Sequence, residues 1–218
     1  MKKEGLAMQP LHIRWTFDRP MVVLTHPLHL DALLASARVR EAREEDDPVS
    51  FQDDLPLEST GGVWKASMLK FCPASEPYLV PKIRKFDNHA LALDRDVRFT
   101  SGINKFIGGS GKLKAYDMRF QKQWVEYAEA WCVGDIERVR ALLSMISCIG
   151  PKASNNHGHI KECTVTIAKK EETELWRVRT LPFGSGHELE GVEYAICSHP
   201  VKPPYWDRTN HVIAVMPV

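Results

Sequence analysis

Residues Ser147-Cys148-Ile149-Gly150-Pro151-Lys152-Ala153-Ser154-Asn155-Asn156-His157-Gly158-His159-Ile160 join a stretch of helical periodicity to one of strand periodicity. Upstream, Asp135 follows Gly134 in an N-cap position, and Ile136, Val139, Leu143 and Ile146 recur every three or four residues. That spacing predicts a helix over Asp135–Ile146 with one buried stripe. Downstream, Gly158 to Ala168 alternates with period two and predicts a strand. Within the loop, Gly150 and Gly158 permit positive φ and the close approach of another backbone. Lys152, Asn155, Asn156 and His157 add hydrogen-bond donors with no apolar anchor among them. Two readings follow: an ordinary helix-to-strand turn, or a loop that cradles an anionic sugar-phosphate backbone.

The same alternation of periods runs through the preceding chain. Leu11-His12-Ile13-Arg14-Trp15-Thr16-Phe17 reads as a half-buried first strand, and Met21 to Leu24 carries the chain to a turn at Thr25-His26-Pro27. Leu30, Leu33, Leu34 and Ala37 predict a helix from His29 to about Arg43, with Asp31 in its first turn, where the helix dipole favours a carboxylate. A second strand is expected over Gly62–Leu69 and a third over Trp124–Val133. The order βαββαβ is the ferredoxin-like (RRM-like) α+β arrangement, which recurs in RNA-binding modules without by itself establishing that function. Residues 169–218 read as an irregular extension, with strand-like pieces at Leu175–Arg179 and His211–Val215 and a proline-rich stretch around Tyr205-Trp206.

The net charge of +1 is uninformative, but its distribution is not. Residues 41–58 hold eight acids and one base, a net −7 that reads as a solvated loop. Residues 82–122 hold ten bases and four acids, a net +6 interleaved with Tyr78, Phe86, Phe99, Phe106, Tyr116 and Phe120. Such a mixture suits phosphate neutralisation and base stacking. Two-residue spacing puts Lys82 with Arg84, and Lys112 with Lys114, on one side of an extended strand. Five cysteines without a CxxC pair read as reduced, buried thiols of a cytoplasmic protein, and nine scattered histidines suggest no zinc site. No apolar leader or eighteen-residue apolar run occurs, so no membrane role is expected, and residues 1–10 read as an extension.

Four motifs carry a resemblance: Pro27-Leu28-His29-Leu30-Asp31-Ala32-Leu33-Leu34-Ala35, Gly108-Gly109-Ser110-Gly111-Lys112 with Tyr116-Asp117-Met118, Ile149-Gly150-Pro151-Lys152, and Tyr205-Trp206. From Leu11 onward the chain resembles the RAMP superfamily, and within it the family-five-like handle-binding subunit of type IV CRISPR effector complexes. The usual glycine string of that family is reduced here to Gly150 and Gly158. The resemblance implies a single RAMP domain over 11–218, with its core in 11–77 and 123–168 and a basic thumb in 78–122 inserted between strands two and three. It implies a non-catalytic, cofactor-free cytoplasmic subunit that caps the five-prime handle of the CRISPR RNA. Its partners would be the repeated backbone subunit and the large-subunit analogue, with target DNA left open. The RNA-binding residues expected on this basis and from the charge pattern are Lys82, Arg84, Lys85, Arg98, Lys112, Lys114, Gly150, Lys152, Asn155, Asn156, His157 and Gly158.

Two other classes remain open. A metal-independent endoribonuclease needs an acid, a base and a cation, for which His26, His29, His89, His157 and His159 with Lys152 or Tyr116 are candidates, though no such set is compact in sequence. A protein-interaction module would use the same hairpins without touching RNA.

Overall fold

The computed structural model describes residues 7–42, 53–84 and 116–218. Period two in the first segment becomes β1 (Gln9–Phe17), in which Leu11, Ile13, Trp15 and Phe17 are buried. A short β2 (Met21–Val22) follows. β1 pairs on one side with β8 (Val125–Gly134), Leu11 opposite Cys132 and Trp15 opposite Ala128, and on the other with β9 (Ile160–Ile167), Ile13 opposite Val165. β5 (Lys70–Pro73) closes the far edge against β8. The sheet order is β5-β8-β1-β9, antiparallel throughout.

Two helices cover the inward face of this sheet. α1 (Leu30–Glu41) buries Leu30, Leu34, Ala35 and Ala37, and α2 (Ile136–Ser144) buries Val139, Leu142 and Leu143 into the same core as Leu11, Ile13, Trp15, Ala128 and Ala130. Asp135 caps α2 as its sequence suggests, its Oδ1 accepting from the Arg138 amide at 2.6 Å. Such a cap is worth about 1 kcal/mol. Arg138 then reaches back to Glu41, which Arg38 also engages at 2.9 Å, clamping the end of α1 to the start of α2. The paired guanidiniums, Arg138 first, hold the Glu41 carboxyl below its ordinary pKa.

Four expectations need correction. The strand expected over Gly62–Leu69 forms regular ladder only at β4 (Val63–Trp64), in a two-stranded turn with β3 (Ser59–Thr60), and the edge of the main sheet is β5. Ser67 explains the shift: its Oγ accepts from the Trp131 amide and donates to its neighbour's carbonyl, which interrupts the edge between the Ala66–Cys132 bridge and Lys70. Leu175–Arg177 is a 3-10 turn, because Trp176 turns inward as a buried anchor instead of alternating. The region 169–218 is more regular than expected: the strand expected over His211–Val215 does form, although the proline-rich stretch around Tyr205-Trp206 holds no strand. β10 (Leu181–Pro182), β12 (His211–Pro217) and β11 (Tyr194–Pro200) form an antiparallel sheet in that order, with Leu181 and Val215 buried against Val63. All five cysteines are free, but only Cys132 is buried, and that burial pushes its thiol pKa up.

The chain divides into two compact units, Met1–Glu76 with Gln123–Val218, and Pro77–Lys122. The second contains an antiparallel ribbon of β6 (Tyr78–Arg84) and β7 (Tyr116–Gln123), with Tyr78 opposite Lys122 and Lys82 opposite Met118. Most of the acidic run, residues 43–52, lies outside the described residues. At its margins Glu41, Asp54 and Glu58 are each engaged by a basic side chain. Among the described residues no helix is long and apolar enough to cross a membrane, and no group of three or more His, Cys, Asp or Glu is placed to hold a metal.

Candidate nucleic-acid interface

The loop after α2 owes its shape to left-handed residues. Gly150, Lys152, Asn156 and Gly158 have φ of 100°, 60°, 63° and 61°, and Ala153–Asn155 makes one 3-10 turn between the two non-glycine residues. The loop closes on itself: the Ile149 amide donates to the Gly158 carbonyl at 2.9 Å, and the Ile160 amide to the Ser147 carbonyl at 2.9 Å. The backbone that Gly158 approaches is this chain's own. A Cβ there would lie 2.1 Å from the Ile149 carbonyl oxygen, and its amide is already committed to the Pro20 carbonyl at 3.1 Å. Gly150 likewise packs on Met21.

Of the expected binding residues in the loop, Lys152 and Asn155 are exposed, Asn156 and His157 are half-buried and Gly158 is buried. Asn156 Oδ1 accepts from the Cys148 thiol at 3.4 Å, a bond internal to the loop. Lys152 and Asn155 are therefore the expected binding residues of this loop that the fold leaves exposed. Nearby, His159 Nδ1 lies 2.8 Å from Asp18 Oδ1 on the surface.

In the ribbon, register places Tyr78, Val80 and Lys82 on one face with Lys122, Phe120 and Met118. This is the basic and aromatic mixture anticipated from the charge pattern, and Lys82 is exposed. Period two in β7 also brings Lys122 to that face, a signal present in the sequence but not used when Lys82 was singled out. The opposite face carries Leu79, Pro81 and Ile83, with Leu79 61% and Ile83 59% exposed, beside Gln121, Arg119 and Asp117 of β7. Arg84 ends β6, and Lys85, Arg98, Lys112 and Lys114 lie outside the described residues.

The motif at the start of α1 has a role beyond the one its sequence suggests. Asp31 stands in the first turn of α1 as expected, accepting from the Ala32 amide at 3.0 Å, but it is also wholly buried, 3.1 Å from Arg179, whose side chain is equally buried. Each N–H of Arg179 finds an acceptor: Nε on the Thr180 carbonyl, Nη1 on the Trp64 and Ala66 carbonyls, and Nη2 on Asp31 and the Val201 carbonyl. The Tyr205 hydroxyl stands 2.8 Å from Nη2 and donates to Asp31 at 3.0 Å. Burial pushes the Asp31 carboxyl up, the Arg179 charge opposes that push, and burial with the Asp31 charge holds Tyr205 far above the usual phenol range. His29 stacks on Tyr205 with ring centroids 4.6 Å apart, and its Nε2 accepts from the Thr180 amide at 3.3 Å.

Tyr205 is thus tied inward, while its neighbour Trp206 is 78% exposed. Sequence reading missed Arg179 altogether. The available signal was an arginine between Val178 and Leu181, in a stretch read as a strand.

Among the nuclease candidates, His29 is buried and His26 exposed, Tyr116 lies in the ribbon unit, and His89 lies outside the described residues. Compared one by one with curated proteins, the sequence matches none. The profile of the family described as CRISPR type IV associated protein Csf3 matches residues 9–217, which span every strand and helix described above, and the chain belongs to that family.

Proposed function

We propose that the chain is a non-catalytic RNA-binding subunit of a type IV CRISPR ribonucleoprotein, capping the five-prime handle of the CRISPR RNA and contacting the adjoining backbone subunit. The observation that carries this reading is the pairing of family membership with the two-faced ribbon between β5 and β8. One ribbon face offers Lys82 and Lys122 among Tyr78 and Phe120, a surface suited to phosphates and bases. The other offers Leu79, Pro81 and Ile83, a stripe suited to a protein neighbour. Support for a ferredoxin-like RAMP scaffold comes from the sheet: numbered by their place in βαββαβ, its strands run 2-3-1-4, all antiparallel, with both helices on one face.

The test is a salt titration of repeat-RNA affinity for the chain assembled with its partner subunits, run in a chelator. Phosphate contacts make log affinity fall linearly with log salt, by about 0.7 per contact on a single strand. Affinity that ignores salt would return the chain to the protein-interaction class. RNA cut specifically by the chain, with cutting abolished by His159→Ala, would make it a nuclease that uses the Asp18–His159 pair.

A further inference from the structure

α1, the segment leading into it and the loop after α2 line an open pocket of about 390 Å³. Its walls are apolar, with Leu28 and Leu33 half-buried and Ile146 buried, while His26, Ser36 and Arg40 stand exposed at its rim. The loop closes one side through Gly150, Pro151 and Ala153. Arg40 Nη1 reaches the Met145 carbonyl at 3.4 Å, so the guanidinium extends from α1 toward the end of α2. Among the described residues no carboxylate lines the pocket. An apolar pocket of this size with a few polar groups at its mouth is the usual form of a small-ligand site. A rim with a cation and no anion favours a ligand carrying negative charge.

We infer that this pocket receives one unstacked nucleobase of the RNA, its ring against Leu28 and Leu33 and the backbone phosphate of its nucleotide against Arg40. The inference rests on the reading that the chain binds RNA. Bases in single strands are recognised by being splayed out, packed on side chains and hydrogen-bonded along their edges. The adjoining loop supplies continuity, since Lys152 and Asn155 face outward beyond the wall formed by Pro151 and Ala153.

The experiment uses the assembled complex and a set of repeat RNAs, each lacking one handle base. Wild type should lose about tenfold in affinity at one abasic position, the scale of a single seated base. Ala153→Phe, which fills the cavity, and Arg40→Ala should each weaken binding of intact RNA by a similar factor, and neither should weaken binding further when that base is already absent. Melting curves check that the variants fold; if Ala153→Phe does not, Ser36→Leu narrows the same mouth from α1. Losses that multiply at every abasic position, or a folded cavity-filling variant that binds intact RNA like wild type, overturn the site while salt-dependent binding preserves the broader reading. A wild-type complex with no salt-dependent affinity for RNA overturns both.

Discussion

Arg179 and Lys82 are both cations placed among apolar residues, yet the fold uses them in opposite ways. Arg179 has no exposed side-chain surface and spends its N–H groups on carbonyls of Trp64, Ala66, Thr180 and Val201 and on Asp31. Lys82 stands on an exposed ribbon face. A buried ion must be fully partnered because its desolvation otherwise outweighs its attraction, whereas an exposed one keeps its water until a ligand displaces it. Charge at the α1 start and the C-terminal region is therefore part of the packed interior, and the Lys82 charge in the ribbon stays in solvent.

The sharpest test of that contrast is Arg179→Ala. It strands Asp31 and the carbonyls in a dry site and should cost about 3–5 kcal/mol in chemical denaturation. A loss below about 1 kcal/mol would mean that water or rearrangement satisfies these groups, and the contrast would collapse.

Gly158→Ala comes next. It combines a φ of 61° with a Cβ 2.1 Å from the Ile149 carbonyl, so it should destabilise by at least about 2 kcal/mol. Gly62→Ala, at φ 80° with open space around the added carbon, isolates the backbone component and should cost about 1 kcal/mol. Equal losses at the two sites would show that close packing at Gly158 contributes nothing.

A pH series separates the regions without mutation. Burial first, then the charges of Arg179 and His199, hold the His29 imidazole well below its ordinary pKa. Below about pH 6.5 the unfolded chain takes up a proton that the folded chain refuses, so this site's contribution is present at higher pH and is lost as pH falls. Denaturation midpoints should drop between about pH 6.5 and 5, and His29→Leu should flatten that dependence, whatever it does to stability at neutral pH. An unchanged slope in the variant would assign the effect to other histidines.

Exposed side chains of the ribbon and the loop should give the smallest stability changes. Lys82→Ala and Lys122→Ala should leave stability within about 0.5 kcal/mol and each lower the salt slope of RNA binding by about one. In the loop, Asn155→Ala is the clean probe, since Asn156 adopts a left-handed φ of 63° that alanine disfavours. It should move stability by less than about 1 kcal/mol and cost on the order of 1 kcal/mol of handle affinity. Lost stability with unchanged affinity would make the loop a structural turn alone.

Period two in Leu11–Phe17, the Val139–Leu143 stripe and Asp135 as cap were legible because they rest on local geometry: a strand alternates, a helix repeats every 3.6 residues, and a cap needs one side chain. The basic and aromatic face of the ribbon was legible for the same reason. Other features depend on residues far apart in the chain. Arg179 and Asp31 are separated by 148 positions, and only folding shows that each is the other's counterion. Gly158 displays its positive φ as a possibility in sequence, but which backbone it approaches is settled by where Ile149 and Pro20 come to rest. The cavity beside Arg40 exists because α1 and the loop meet across more than a hundred residues of chain, and no local pattern records a space between two elements.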